Sequence, residues 1–266
     1  MAYALRPLTL GELLDRTFLF YRQHFALFVG VTALPNLLSL LFGLALIVTR
    51  ARVSGPGSVL ISALAASLVF LVTAVFTQAA TVVVVSQIQL AKPTSILDAF
   101  KSIRPRLAEL VILTLNMGVR IALGFLLLIV PGILLSLRYA LAIPVAILEW
   151  SSGNESLLRS ADLTKGHRGR IFLIYVLFFV MSASVNLLWQ VPSRMLFGTA
   201  RGGPEAMTAQ IVAQFFNFAT QALIGPVATI AFTLLYYDVR VRKEAFDLEH
   251  MMQQLDERAP DGPATT

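Results

Sequence analysis

The sequence predicts an all-α integral membrane protein, a bundle of about six transmembrane helices with three amphipathic helices beside the membrane. Three observations carry that expectation. Of 266 residues, 57% are hydrophobic and 14% charged, where an ordinary soluble domain carries about 25% charged residues. A water-soluble fold of this size has too little interior to hide so much apolar surface. The apolar residues also fall in blocks almost free of charge, at 25–48, 59–85, 107–130, 133–148, 171–188 and 211–237. Roughly 20 apolar residues cross a bilayer core as a helix, and in hydrocarbon the backbone must satisfy its own amides. The blocks lack the alternation that strands of an outer-membrane barrel would need.

Taken in order, the predicted spans are residues 25–49, 59–90, 107–130, 132–149, 171–191 and 208–237. The first contains Pro35 and the sixth Gly225-Pro226. Proline removes a helical hydrogen bond and kinks a helix. The third and fourth spans are separated only by Pro131-Gly132, read as a tight hairpin. Three amphipathic helices, at 10–23, 94–104 and 154–165, each precede an odd-numbered span. Each opens on a polar residue able to cap a helix: Thr9, Thr94 or Ser95, and Asn154. Two large aliphatics follow, then a basic residue, then the span. The chain therefore reads as three units of interfacial helix plus helical hairpin. Apolar faces such as Leu14, Phe18 and Tyr21 are expected in the membrane interface. The residues expected to meet anionic headgroups are Arg16, Arg22, Lys101, Arg104, Arg106, Arg159, Lys165, Arg168 and Arg170, each contributing about 1 kcal/mol near the surface. After the last span, Val241, Ala245, Leu248, Met252 and Leu255 form one apolar seam, which predicts an amphipathic helix over 238–258. Residues 259–266 are expected to be disordered.

Charge fixes the expected orientation. Fifteen Lys and Arg fall in the segments holding the amphipathic helices and the tail, and four in the alternate loops. The positive-inside rule then puts both termini in the cytoplasm. The net charge of +6 is explained by this clustering beside spans. No basic patch with stacking aromatics suggests nucleic acid. There is no cysteine, hence no disulfide or thiolate metal site. The N-terminal stretch lacks a small-residue cleavage site, so no removed leader is expected.

Little in the sequence suggests catalysis. His24, His167 and His250 sit in separate segments beside basic residues, which disfavours a bound cation. No Gly-x-Ser-x-Gly and no phosphate-cradling glycine loop is present. The informative polar residues are in the spans. Arg120 lies eleven residues from the Pro131 turn, about 16 Å deep at ~1.5 Å per residue, and Arg138 seven residues from it. A charge at such depth is expected to face the bundle interior with a partner. Gln210, Gln214, Asn217 and Gln221 share one face of the sixth span, Ser182, Asn186 and Gln190 one face of the fifth, and Thr77, Gln78 and Thr81 lie on the second. Two readings stay open. The amides are interhelical glue at roughly 0.6–2 kcal/mol each, or they line a polar cavity, ringed by Arg120 and Arg138, that accepts an anionic group such as a lipid phosphate.

One stretch carries a family pattern: Pro131-Gly132-Ile133, Leu137-Arg138-Tyr139, Pro144, Glu149, Glu155-Ser156-Leu157-Leu158-Arg159-Ser160 and Leu163-Thr164-Lys165-Gly166, together with Arg6-Pro7-Leu8-Thr9-Leu10-Gly11-Glu12-Leu13-Leu14-Asp15. It resembles the membrane domain associated with glycerophosphoryl diester phosphodiesterases and a wider set of prokaryotic six-span proteins. The resemblance covers nearly the whole chain and implies a multi-pass protein of a prokaryotic cytoplasmic membrane. Some relatives append a soluble phosphodiesterase domain; nothing of that size follows the last span here, so no phosphodiesterase activity is expected. The expected function is non-enzymatic, without cofactor or metal: interaction with membrane lipids, or organisation of membrane partners. The alternative is a small transporter or lipid-translocating protein, and a lipid-metabolism enzyme ranks last.

Overall fold

The computed structural model describes residues 8–50, 55–197 and 203–258. Among them the chain forms ten α-helices and no strand: α1 Leu10–Gln23, α2 Phe25–Arg50, α3 Pro56–Gln89, α4 Ile96–Ile103, α5 Leu107–Leu127, α6 Ile129–Arg138, α7 Ala142–Leu148, α8 Gly153–Leu163, α9 Arg168–Phe197 and α10 Gly203–Arg258. Six segments are long and apolar enough to cross a membrane: Phe25–Thr49, Gly57–Gln89, Ile96–Leu127, Ile129–Leu148, Arg168–Pro192 and Glu205–Glu244. The protein is an all-α, multi-pass membrane bundle.

The three short helices form where local chemistry starts them. Thr9 caps α1: its hydroxyl accepts the Glu12 N–H at 3.3 Å while its own N–H donates to Glu12 Oε2 at 2.8 Å. The two groups satisfy each other's open valences at a helix start. Leu13, Thr17 and Phe20, spaced four and three apart, are buried. Phe18 on the neighbouring face stays exposed. Ser95 caps α4 by accepting the Asp98 N–H at 3.3 Å. For α8 the cap is Ser152, whose N–H donates to Glu155 Oε2 at 3.0 Å, not Asn154, which lies inside the helix. Glu155 is what selects it, because only a residue three positions earlier can exchange bonds with that carboxylate.

These helices gather at one end of the bundle, here termed the capped face. The core is α2, α3 and α10 packed side by side. It is built from small and β-branched residues of α3, Val75, Ala79, Ala80, Val84 and Val85, against Ile230, Leu234 and Leu235 of α10, and the small residues let the helices approach closely. Pro226 lies inside α10 and has no N–H to offer the carbonyl of Ala222. That carbonyl has the Thr32 hydroxyl at 2.9 Å, and the neighbouring Leu223 carbonyl accepts the Tyr21 hydroxyl at 2.7 Å. The break is therefore resatisfied from α2 and α1, as a membrane interior demands.

The second hairpin differs from its expected form in two ways. The chain turns at Leu128, which is extended (φ −167°, ψ 156°), rather than at Pro131-Gly132. Those two residues fall in the first turn of α6, where proline's missing N–H is no loss. Helices α5 and α6 then pack antiparallel: a Cβ on Gly124 would lie 3.0 Å from Gly132 Cα, and one on Gly132 would strike the Phe125 ring. Second, residues 132–149 are not one rod. The helix breaks at 139–141, and α7 folds against α8. Ser160 explains the break: its hydroxyl accepts the Leu141 N–H at 3.2 Å and lies 3.0 Å from the Arg138 carbonyl, groups an unbroken helix would have paired internally.

Helix α10 runs on without interruption into the expected helix at 238–258. The side chains from Ala245 onward, and with them most of the expected seam, lie outside the described residues, as does 259–266.

Candidate functional site

The polar residues of the spans converge on α10. Its face bearing Asn217, Thr220, Gln221 and Thr229 meets Asn36 of α2, Thr77 and Gln78 of α3, and Ser182 and Asn186 of α9 around a partly open inner cavity of about 400 Å³. Ring pairs bracket it along the α9–α10 seam: Tyr175 with Phe232 (centroids 4.9 Å apart) and Trp189 with Phe216 (3.8 Å). Farther from the capped face, an outer cavity of about 440 Å³ is lined by Gln210, Gln214, Ser39, Gly43 and Phe70. Phe70 borders both cavities. From Gln210 to Thr229 the polar track follows α10 for about 29 Å at ~1.5 Å per residue, close to the ~30 Å of a bilayer core.

Some of these amides also pack. Gln214 donates to the Ser39 carbonyl at 3.4 Å and lies where a Cβ on Gly43 would be. Asn186 donates to the Ser182 carbonyl of its own helix at 2.8 Å. Asn217 and Gln221 are exposed to the inner cavity. The buried hydroxyl of Thr77, on its wall, has no hydrogen-bond partner among the described residues. Gln190 does not line either cavity.

The two arginines do not ring this cavity. Arg120 reaches toward the Tyr139 hydroxyl at 3.5 Å, and the exposed Arg138 lies 5.8 Å from the same ring. Both stand at the base of the α5–α6 hairpin near α8, because the Arg138 carbonyl lies within 3.0 Å of Ser160 and 3.4 Å of Thr164. The expected arginine-ringed anion cavity is thus split: the amides assemble on α10, the arginines elsewhere. The reason is the Leu128 turn and the break at 139–141, which return Arg138 to the capped face.

At the capped face, most of the basic residues expected at headgroups are held internally. Asp238, fully buried, accepts Arg170 at 2.7 Å, Arg242 at 3.1 Å and the Leu8 N–H at 2.6 Å, while both arginines also donate to the Leu8 carbonyl. Around Tyr236 the bonds close a ring: Tyr236 to Glu149 (2.9 Å), Arg159 to Glu149 (3.3 Å) and to Glu244 (3.1 Å), Arg240 to Glu244 (2.8 Å) and to Tyr236 (3.2 Å). Arg106 pairs with Glu109 at 3.0 Å and lies over Trp150, Arg16 donates to Gln89 at 3.2 Å, and Lys165 pairs with Asp162 at 2.7 Å. Arg22, Lys101 and Arg104 are exposed, and the half-buried Arg168 keeps a buried Nε without a partner among the described residues. Lys92 and Arg106 line a cleft of about 380 Å³ with Ser86, Ser102 and Trp150. The Ser152 N–H holds the Glu155 carboxyl below its ordinary range, and Lys165 does the same for Asp162.

Asp238, Glu244 and Tyr236 went unmarked in the sequence reading, and Glu149 was noted only as part of the family pattern. One signal was present: Asp238 and Arg242 stand four apart, the spacing of a helical ion pair. Among the described residues no three His, Asp or Glu gather as a metal site would need. Compared with family models, curated proteins and solved structures, the chain matches none.

Proposed function

We propose that this is a non-enzymatic protein of a prokaryotic cytoplasmic membrane, both termini inside, that engages membrane lipids and takes their polar heads into the track along α10. One observation carries the reading: the polar residues of four helices meet in two adjoining cavities that together extend about the depth of a bilayer core. Amides and hydroxyls without a fixed charge suit an uncharged or zwitterionic head, whose acyl chains can stay in lipid. The unpartnered Thr77 hydroxyl and the cavity-facing Asn217 and Gln221 supply the donors and acceptors. Anionic lipids belong to the capped face in this reading, where Arg22, Lys101, Arg104 and the Lys92–Arg106 cleft offer charge. The motifs at 6–15 and 131–170 support kinship with the phosphodiesterase-associated membrane domain, without its catalysis.

The test is lipid exchange between leaflets in proteoliposomes containing a headgroup-labelled phosphatidylcholine. The protein should accelerate loss of label to an impermeant quencher, and Asn217→Leu with Gln221→Leu should abolish the acceleration while leaving thermal stability in place. Unchanged exchange in that double variant would refute the track. A second reading, a static organiser of lipids or partners, is favoured by Gln214 and Asn186, which spend their donors on packing. It predicts no exchange by the unaltered protein and lower stability of a Gln214→Leu variant.

A further inference from the structure

The α5–α6 hairpin ends in five consecutive large aliphatics, Leu126, Leu127, Leu128, Ile129 and Val130, each between 65% and 83% exposed. The ends of a crossing hairpin meet water, where a turn of this composition is unfavourable. The lengths point the same way. Helices α2, α3 and α9 have 26, 34 and 30 residues, ample for a bilayer core at ~1.5 Å per residue. Helix α6 has 10, about 15 Å, half of that core; α5 has 21, but its first two turns stand beside α8, where a Cβ on Gly153 would lie 3.7 Å from Leu113. The α7 segment does not lengthen it, because both flanks of α7 are bonded to α8: the Leu141 N–H to Ser160 and the Glu149 carboxylate to Arg159. Helix α8 in turn is fixed to α10 at the C-terminal end of its apolar segment, through Arg159–Glu244 and Lys243 to the Asp162 carbonyl. Arg120, Arg138 and Tyr139 stand together at the hairpin's base, the residue types that anchor at a membrane–water interface.

We propose that this hairpin does not cross. It enters the bilayer from the capped face, turns at Leu128 among the acyl chains near the midplane, and returns to the same face. Four helices, α2, α3, α9 and α10, then cross, and both termini stay on one side. The charge bias read from the sequence is the same for either path, since a hairpin that crosses and one that turns back return the chain to the same face. The turn also has fewer polar groups to desolvate than an ordinary one: Pro131 brings no N–H, and the Leu128 N–H donates to the Gly124 carbonyl at 3.1 Å. The partner of these five residues is therefore the hydrocarbon of the leaflet on the capped face.

The chain has no cysteine, so single-cysteine variants label at one place. Leu128→Cys in intact cells and in inverted vesicles should resist a membrane-impermeant maleimide from both sides and react once detergent is added. Ile129→Cys repeats the test should Leu128→Cys not fold. Gly57→Cys and Asn154→Cys, at the opposite ends of the bundle, should each label from one side only, and from opposite sides. A bimane on Leu128→Cys should be quenched more by lipids brominated deep in the acyl chain than by lipids brominated near the headgroup. Labelling of Leu128→Cys from the side that labels Gly57→Cys would mean the hairpin crosses. Labelling from the side of Asn154→Cys would mean that it lies outside the membrane. Either result overturns the proposal.

Discussion

A carboxylate without solvent, Asp238, receives two guanidinium groups and the Leu8 amide. Removing one partner from such a cluster leaves the other charges buried and unpaired, which typically destabilises by about 3–5 kcal/mol. Asp238→Asn should therefore lower stability in detergent by about that amount, read as a fall in the thermal unfolding midpoint, and should free residue 8 to proteolysis. A second residue-scale expectation concerns Thr32. Its hydroxyl faces the carbonyl that Pro226 leaves open, so Thr32→Val should cost about 1–2 kcal/mol. In a Pro226→Ala background residue 226 regains its N–H and the Ala222 carbonyl its helical partner, so the same substitution should cost measurably less. A double-mutant cycle on thermal unfolding checks this; equal costs in both backgrounds would show that the hydroxyl does not serve that carbonyl.

At the scale of elements, short helices were legible where local chemistry decides them. Helix α1 has the expected bounds because Thr9 and Glu12 mark its start unambiguously. The cap of α8, Ser152, stands two residues before the expected Asn154, although Glu155 was there to point at it. The Leu128 turn was not legible: an apolar residue inside an apolar run gives no signal, and Pro131-Gly132 nearby gives a stronger, misplaced one. The break at 139–141 depends on Ser160, a contact across 19 residues or more, which no local pattern encodes. The α8 start also titrates. Hydrogen bonding lowers the Glu155 carboxyl from its ordinary 4.5. A lowered native value means the bond stabilises above the ordinary value, and the contribution fades as pH falls from 4.5 through the native value. The stability gap between the unaltered protein and Glu155→Gln should be full at pH 7 and close in that acidic window, as followed by thermal unfolding across pH.

For the whole molecule, composition and block length were sufficient to foresee an all-α membrane bundle. They could not foresee which polar residues would share a space. The amides of the second, fifth and sixth spans meet because α9 packs on α10 through the Tyr175–Phe232 and Trp189–Phe216 pairs, placing two polar faces opposite each other. Arg120 and Arg138 looked equally intramembrane by position in the chain, yet belong to the capped face. Charge within an apolar block marks an interface as readily as a cavity when the block folds back.

The interruption in α10 has a mechanical consequence. Across Pro226 the helix has no internal bond at Ala222, and the hydroxyls lying beside the gap belong to other elements, Thr32 on α2 and Tyr21 on α1. The upper arm of α10 carries the amides of the polar track; its lower arm is bolted through Asp238 and Glu244 to α9 and α8. The joint between the two arms is thus clasped from α1 and α2, and α1 stands at the capped face. A lateral push on α1 would unclasp that joint and let the upper arm swing while the lower arm stayed in place.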